Sequence, residues 1–167
     1  MDTRGKSGRD VPLAVDLDGT LVSTDLLWES IFILLKKNIF FAFLLPVWLL
    51  SGKAHLKHEI ARRVTINASV LPYRQDFLDY LRAEHASGRK LVLATASAET
   101  YAQAVASELG IFSAVHASTC TTNLSAHRKA DALSEHYGAR GFDYAGNDCD
   151  DIAVFNAARQ AKLSWRR

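Results

Sequence analysis

Two aspartates one residue apart close a hydrophobic run at Val15-Asp16-Leu17-Asp18-Gly19-Thr20. Alternate side chains of an extended strand share a face, so Asp16 and Asp18 are expected to project together where the strand opens into a glycine-containing turn. Paired carboxylates aimed at one point suit acid and nucleophile chemistry. One attacks a phosphorus atom, while the other protonates the leaving oxygen and later activates water. A bare Asp-x-Asp would also serve as an ordinary turn after a buried strand, because Asp and Gly are common turn residues.

Other residues able to act on phosphate follow in order along the chain. The apolar run Lys90-Leu91-Val92-Leu93-Ala94-Thr95-Ala96-Ser97 ends on hydroxyls. Ser97 is expected to cap the next helix, whose free N–H groups and positive dipole end would attract a phosphate. Arg128 and Lys129 stand near a further helix start, where a cation would favour attack of one anion on another. Phe142-Asp143-Tyr144-Ala145-Gly146-Asn147-Asp148-Cys149-Asp150-Asp151 then delivers acidic groups from a short strand. Oxygen-rich, incomplete ligand sets suit Mg²⁺, which keeps waters and shares phosphate oxygens. Asp150 is assigned to a helix start, where the dipole favours a negative charge.

The Asp-x-Asp-Gly-Thr string after Val-Pro-Leu-Ala-Val resembles the first motif of the haloacid dehalogenase superfamily, and the three later segments follow that superfamily's order. The resemblance implies a phosphatase with Asp16 as nucleophile and Asp18 as acid and base. It places Thr95, Ala96, Lys129, Gly19 and Thr20 around the phosphoryl group, with Thr95 as the contacting hydroxyl, and Asp16, Asp18, Asn147, Asp148 and Asp151 around Mg²⁺. One departure stands out. The usual fourth motif is Gly-Asp with another Asp shortly after, and here Asn147 occupies the first acidic position. Its amide oxygen can ligate Mg²⁺ but brings no charge, so either Asn147 or Asp148 is the metal-contacting residue.

The elements that must position these groups are strands at about 11–16, 90–94, 114–117 and 142–145, alternating with helices over 98–109 and 126–137 that stop at Gly110 and Gly138. Alternation implies an α/β fold, a Rossmann-like parallel sheet with helices on both faces, whose ligands sit at the carboxyl ends of the strands. Asp16, Thr95 and Asn147 all fall at such ends. The chain ends at Leu163-Ser164-Trp165-Arg166-Arg167, where a fifth strand would normally finish the sheet. Residues 1–10 read as a disordered polar tail, 11–21 and 73–167 as the core, and 22–72 as a small all-helical cap inserted after the first strand. Pro72 is expected at the start, and Gly88 beyond the end, of the helix leading back into the sheet.

The 167 residues, 49% hydrophobic and 23% charged, suit one enzyme-sized domain. A net charge of +2 without basic–aromatic alternation argues against a nucleic-acid partner. Cys120 and Cys149 are too few for a disulfide scaffold, and the absence of an apolar leader segment points to a cytoplasmic protein.

Within the insertion, Ile31–Leu35 and Ile39–Leu50 are strongly apolar, yet both fall short of the roughly 18 residues that span a bilayer. Six Lys or Arg against one Glu between residues 31 and 65 make the same segment basic. Two readings follow: a hairpin packed on the core, or one whose surplus apolar surface meets lipid or a partner. His55 and His58 lack a third ligand at zinc-like spacing.

Taken with the apolar insertion, the strings Leu71-Pro72-Tyr73, Leu91–Ala96, Thr122-Asn123-Leu124 and Phe142–Asn147 resemble the haloacid-dehalogenase-type domain found ahead of UbiA-family membrane prenyltransferases. That similarity implies a prenyl-linked or sugar phosphate substrate, a prenyltransferase or membrane-surface partner at the inner membrane face, and Asn147 as a familiar variant. The competing expectation is a catalytically weak module that docks on such a membrane enzyme.

Overall fold

Alternation along three adjacent strands decides which helices cover which face of the sheet. In the computed structural model, which describes residues 10–147 and 151–163, the central strand is β1 (Leu13–Val15), flanked by β2 (Leu91–Ala98) and β4 (Asp143–Gly146). Leu13, Val15, Leu91 and Leu93 point into one layer, against α4 (Gln75–Ala86) and α5 (Glu99–Leu109). Ala14, Val92 and Ala94 point into the other, against α6 (Ala126–Tyr137) and α7 (Ile152–Ala157). A period of two thus builds two cores from one sheet.

β3 (Ala114–Ser118) pairs outside β2, and β5 (Ala161–Leu163) outside β4, so five parallel strands run in the order β3-β2-β1-β4-β5. The fold is the α/β, Rossmann-like arrangement anticipated above, with helices on both faces. One expectation needs correction: the sheet does have its fifth strand, Tyr144 pairing with Ala161 and Ala145 with Lys162. Three residues are too few to show an alternating pattern. Another boundary also moves. α4 starts at Gln75, and Pro72 lies in the extended approach to it, its carbonyl accepting both the N–H (3.0 Å) and the hydroxyl (3.1 Å) of Ser23. That clamp ties together the two ends of the long insertion.

At the amino end of the sheet, buried Arg89 joins strand to helix. Its guanidinium pairs with Asp143 and with Glu84 (2.7 Å) and donates to the Val11 carbonyl (3.0 Å). Burial alone would raise the Asp143 carboxyl, but hydrogen bonds from Arg159 and Arg89 outweigh it and hold the group below its usual range. This network anchors β4 at the end opposite the acidic residues discussed below.

The insertion is helical from 26 to 61: α1 (Leu26–Lys37), α2 (Phe41–Leu50) and α3 (Lys53–Ala61), followed by a 3₁₀ turn at Ala68–Val70. Asp25 caps α1, its carboxylate accepting the N–H groups of Leu27 and Trp28. Gly52, at φ 104°, breaks α2 from α3. Leu34, Trp48, Leu56, Ile60 and Val64 form a separate small core, and the Tyr101 hydroxyl on α5 donates to the Val64 carbonyl at 3.1 Å.

Candidate active site

Asp16 leaves β1 with its N–H donating to the Ala145 carbonyl (2.9 Å), which continues the pairing to β4 by one step and sets the carboxylate beside that strand's end. The chain then turns: the N–H groups of Leu21 and Val22 both donate to the Leu17 carbonyl at 3.0 Å. Asp16 and Asp18 therefore do not share one extended strand, as the spacing suggested, yet both face the same cleft.

Lys129 on α6 is buried beneath Asp16. Its ammonium donates to Asp16 Oδ1 (2.8 Å), the Tyr144 hydroxyl (2.9 Å) and Asp151 Oδ1 (3.2 Å). Arg128, the neighbouring candidate, lies outside and reaches only the Asn123 carbonyl at 3.4 Å. Burial pushes the Asp16 carboxyl up to about 6; Lys129 opposes the rise, while Asp151 and Asp18 add to it. Burial would depress the Lys129 ammonium, but Asp16 and Asp151 hold it above its ordinary value, so it stays charged. Gly146 lets Asp151 approach this closely. A Cβ there would stand 2.6 Å from Asp151 Oδ2 and 2.8 Å from the Tyr144 ring.

Asp18 answers to different partners. Its Oδ1 accepts the Leu26 N–H at the start of α1 (2.9 Å), and its Oδ2 accepts the Ser97 hydroxyl (2.5 Å) and, more loosely, that of Thr95 (3.4 Å). Burial raises the Asp18 carboxyl, and the bonds from Leu26 and Ser97 only partly offset it. Ser97 is not the helix cap expected from its position. It belongs to β2, the cap position falls on Ala98, and the Ser97 hydroxyl turns into the cleft instead. Thr95 is fully buried and accepts the Ser97 N–H at 3.0 Å.

The remaining candidates are placed as follows. The Thr20 hydroxyl is buried and donates to Asp16 Oδ2 (3.2 Å). The Gly19 N–H donates to the Thr24 carbonyl (3.2 Å), and the Gly19 carbonyl accepts from Asn147 Nδ2 and from Arg74 Nε (3.1 Å). Both groups therefore brace the turn rather than face the cleft. Gly19 has φ +70°, and a Cβ there would meet Asn147 Nδ2 at 2.9 Å, so glycine is required for the turn and for the amide's approach. Asp148, with Cys149 and Asp150, lies outside the described residues.

These groups converge on a cleft of about 550 Å³ between the carboxyl ends of the strands and the inserted helices. Its floor carries Asp16, Asp18, Ser97, Lys129 and Asp151, and its other wall is formed by α1, α2 and α3. Lys57 on α3, missed from the sequence, spans the two. Its ammonium donates to the Ala96 carbonyl (2.6 Å) and to Asn123 Oδ1 (2.9 Å), bridging the end of β2 and the segment that follows β3. Burial lowers its affinity for the proton, against the pull of Asp18 and Asp25. A solvated-looking lysine between Lys53 and Arg62 gives no sign of this contact in sequence.

The donor set fits a hard divalent cation. Asp16 and Asp151 share the ammonium of Lys129, and Asp18 stands in the same cleft bonded to neutral donors, three buried or half-buried carboxylates; burial above all raises the Asp16 and Asp18 carboxyls, and neighbouring carboxylates add to the rise. Among the described residues no three acidic, imidazole or thiol side chains are grouped so as to hold a metal ion by themselves, so waters and substrate oxygens would have to complete the set. An open, all-oxygen set is what Mg²⁺ accepts, since it keeps several waters. Asn147, whose Nδ2 is engaged with Gly19, retains its Oδ1 as an acceptor.

Comparison with known proteins agrees with this architecture. Over its fold the chain is similar to a substrate-bound phosphoserine phosphatase (TM-score 0.64, 12% identity, covering 94% of this chain and 87% of that one). It is likewise similar to a HAD family hydrolase from Salmonella enterica serovar Typhi (TM-score 0.63, 13% identity, 88% and 60% covered). A predicted phosphoglycolate phosphatase from Haemophilus somnus gives a TM-score of 0.57 at 19% identity, with 95% and 85% covered. In sequence, the chain is 34% identical over 164 residues to the uncharacterized protein y4nM of Sinorhizobium fredii, covering 93% of this chain and 30% of that protein. The chain thus spans about a third of that relative's length. Residues 36–150 match the haloacid dehalogenase-like hydrolase family, and on that match, with the parallel sheet and its acidic strand ends, the chain belongs to the haloacid dehalogenase-like hydrolases.

Proposed function

We propose that this hydrolase is a Mg²⁺-dependent phosphomonoesterase that works through an aspartyl-phosphate on Asp16. The observation that carries the reading is the convergence of one charged lysine and two differently partnered aspartates on one cleft. Asp16 is paired with Lys129 at 2.8 Å, and Asp18 is bonded instead to neutral donors. Environments that differ in this way separate nucleophile from acid.

In the first half-reaction an oxygen of the Asp16 carboxylate attacks phosphorus. The bond from phosphorus to the ester oxygen breaks, and that oxygen takes the proton from Asp18, whose buried carboxyl holds it more readily than a solvated one. In the second, the Asp18 carboxylate accepts a proton from a water whose oxygen attacks phosphorus. Asp16 is released and inorganic phosphate departs. Lys129 lowers the cost of bringing a phosphoryl anion to a carboxylate, and the Ser97 hydroxyl steadies Asp18 once it is ionised. Bound Mg²⁺, held by Asp16 and Asp18 with Asn147, Asp148 or Asp151, would supply charge neutralisation for the phosphoryl oxygens. Thr95 and Ala96 would support the phosphoryl group from the end of β2, with Gly19 and Thr20 shaping the turn beneath it. The substrate is a small phosphorylated molecule. The resemblance to prenyltransferase-linked domains favours a prenyl-linked or sugar phosphate handled on the cytoplasmic side of the membrane.

The test is hydrolysis of an aryl phosphate with and without Mg²⁺, by the wild type and by Asp16→Asn and Asp148→Asn. Metal-dependent turnover abolished in Asp16→Asn at every Mg²⁺ concentration supports the reading. A fully active Asp16→Asn protein would refute it. A second reading has its own observation, the uncharged Asn147 turned by its amide toward Gly19. On that reading the chain is a catalytically weak module that docks on a UbiA-family prenyltransferase or a membrane surface. It calls for feeble Mg²⁺ binding by calorimetry, with docking indifferent to Asp16.

A further inference from the structure

α2 is apolar on every side, Phe-Ala-Phe-Leu-Leu-Pro-Val-Trp-Leu-Leu, yet Trp48 is its sole buried residue. An all-round apolar helix is normally enclosed by protein or lipid. Here Phe43 is 75% and Leu50 89% exposed, with Leu44, Val47 and Leu49 between them also open to solvent. The face extends through Ile39 and Phe40 in the turn before α2 and onto Trp28 and Phe32 of α1. Among the described residues, Val70 and Ile152 are the exposed large hydrophobic side chains outside this region. A patch so concentrated marks an interaction site.

Charge selects the occupant. From Trp28 to His58 the chain contains four lysines and one carboxylate, Glu29; Lys57 is turned into the cleft and Lys37 donates to the Arg63 carbonyl (3.0 Å), which leaves Lys36 and Lys53. The nearby Arg63 is already committed, paired with Glu59 at 2.6 Å and stacked 4.7 Å over the Trp48 ring. Lys36 and Lys53 stand exposed at the ends of α1 and α3, on either side of α2. The apolar band runs along the whole of α2 and is bordered by cations, the pattern of a helix lying in the plane of an anionic bilayer. Spanning is not an alternative, since among the described residues no helix is long and apolar enough to cross a membrane.

We propose that the outer face of α1 and α2 is a membrane-docking surface for anionic phospholipid bilayers. α2 lies at the headgroup–acyl boundary, and Lys36 and Lys53 meet the phosphates. Trp28 and Leu49 belong both to this face and to the wall of the cleft. Docking therefore sets the cleft's rim at headgroup level. The proposal is independent of the phosphatase reading, because nothing in it uses Asp16 or Asp18.

The experiment is sedimentation of the whole chain with mixed phosphatidylcholine–phosphatidylglycerol vesicles and with pure phosphatidylcholine vesicles. It is run on the wild type, a Phe43→Glu/Leu50→Glu variant and Lys36→Glu. Both side chains in the double variant are solvent-exposed, so circular dichroism and melting temperature should match the wild type. Expected are binding to the anionic vesicles, a loss on the order of tenfold or more in the double variant, and a smaller, salt-sensitive loss in Lys36→Glu. Failure of the wild type to bind vesicles, or binding unchanged in the folded double variant, overturns the proposal. So does a wild-type dimer, detected by analytical ultracentrifugation, that the double variant dissolves while vesicle binding stays absent. In that case the face belongs to a second copy of the chain.

Discussion

Replacing Lys129 with Met should damage both stability and turnover, by amounts that follow from its contacts. The ammonium is the shared partner of Asp16 (2.8 Å) and Asp151 (3.2 Å), and all three side chains are at least 89% buried. Methionine keeps much of the volume but leaves two buried carboxylates without their cation. Breaking a buried pair in this way costs about 3–5 kcal/mol. At roughly 2–4 °C per kcal/mol for a chain of this size, the melting temperature should fall by about 6–20 °C. Turnover should drop about 10²–10³-fold, the usual effect of removing one positioned charge from a phosphoryl or oxyanion site. The Asp16 carboxyl, already pushed up to about 6 with Lys129 opposing the rise, would go higher and be protonated in more of the molecules at neutral pH. Thermal denaturation and aryl phosphate kinetics of Lys129→Met, beside Arg128→Met and the double variant Lys129→Met/Asp16→Asn, check this. Arg128→Met should stay within about 0.5 kcal/mol of the wild type, and the double variant should regain part of the lost stability, since an amide needs no counter-charge. A Lys129→Met protein that melts with the wild type and turns over normally would show the reasoning to be wrong.

Between the ordinary 3.8 and about 6, native Asp16 holds a proton that the unfolded chain has released, so metal-free stability should fall as pH rises through that window. The loss, up to about 3 kcal/mol, should appear in urea midpoints measured against pH and be flattened in Asp16→Asn. Ser97→Ala removes the hydroxyl that donates to Asp18 at 2.5 Å and should move the alkaline limb of kcat/KM up by about one to two pH units, since a hydrogen bond to a charged group contributes roughly 1.5–3 kcal/mol. Gly146→Ala places a Cβ 2.6 Å from Asp151 Oδ2 and should cost about 1–3 kcal/mol by denaturant titration while weakening Mg²⁺ binding by calorimetry. Lys57→Met cuts the bonds to Ala96 and Asn123 and should raise KM for phosphate esters more than it lowers kcat, as expected for a group that joins the inserted helices to the cleft floor.

Which of these groups could be found in the sequence depended on how far along the chain their partners lie. Asp16 and Asp18 announced themselves because strand, turn glycine and carboxylates sit within six consecutive residues. Lys129 could be ordered relative to them, although only its burial separates it from Arg128. Ser97 was legible as a hydroxyl beside a helix start, and the cap rule pointed it at the wrong partner. β2 continues through Ala98, and this carries Ser97 across to Asp18, 79 positions earlier. Lys57 and Tyr144 were invisible for the same reason, since their polar ends meet residues 39 and 15 positions away. The three-residue β5 escaped notice because short strands take their identity from a neighbour and not from their own pattern. The apolar insertion was the reverse case. Its composition stated that some face had to be covered, and the fold uses only Trp48 and a few flanking residues of α2 to do so. On the docking proposal made above, the hydrophobicity of α2 that its own core does not consume is what meets the bilayer, and Lys36 and Lys53 favour an anionic one.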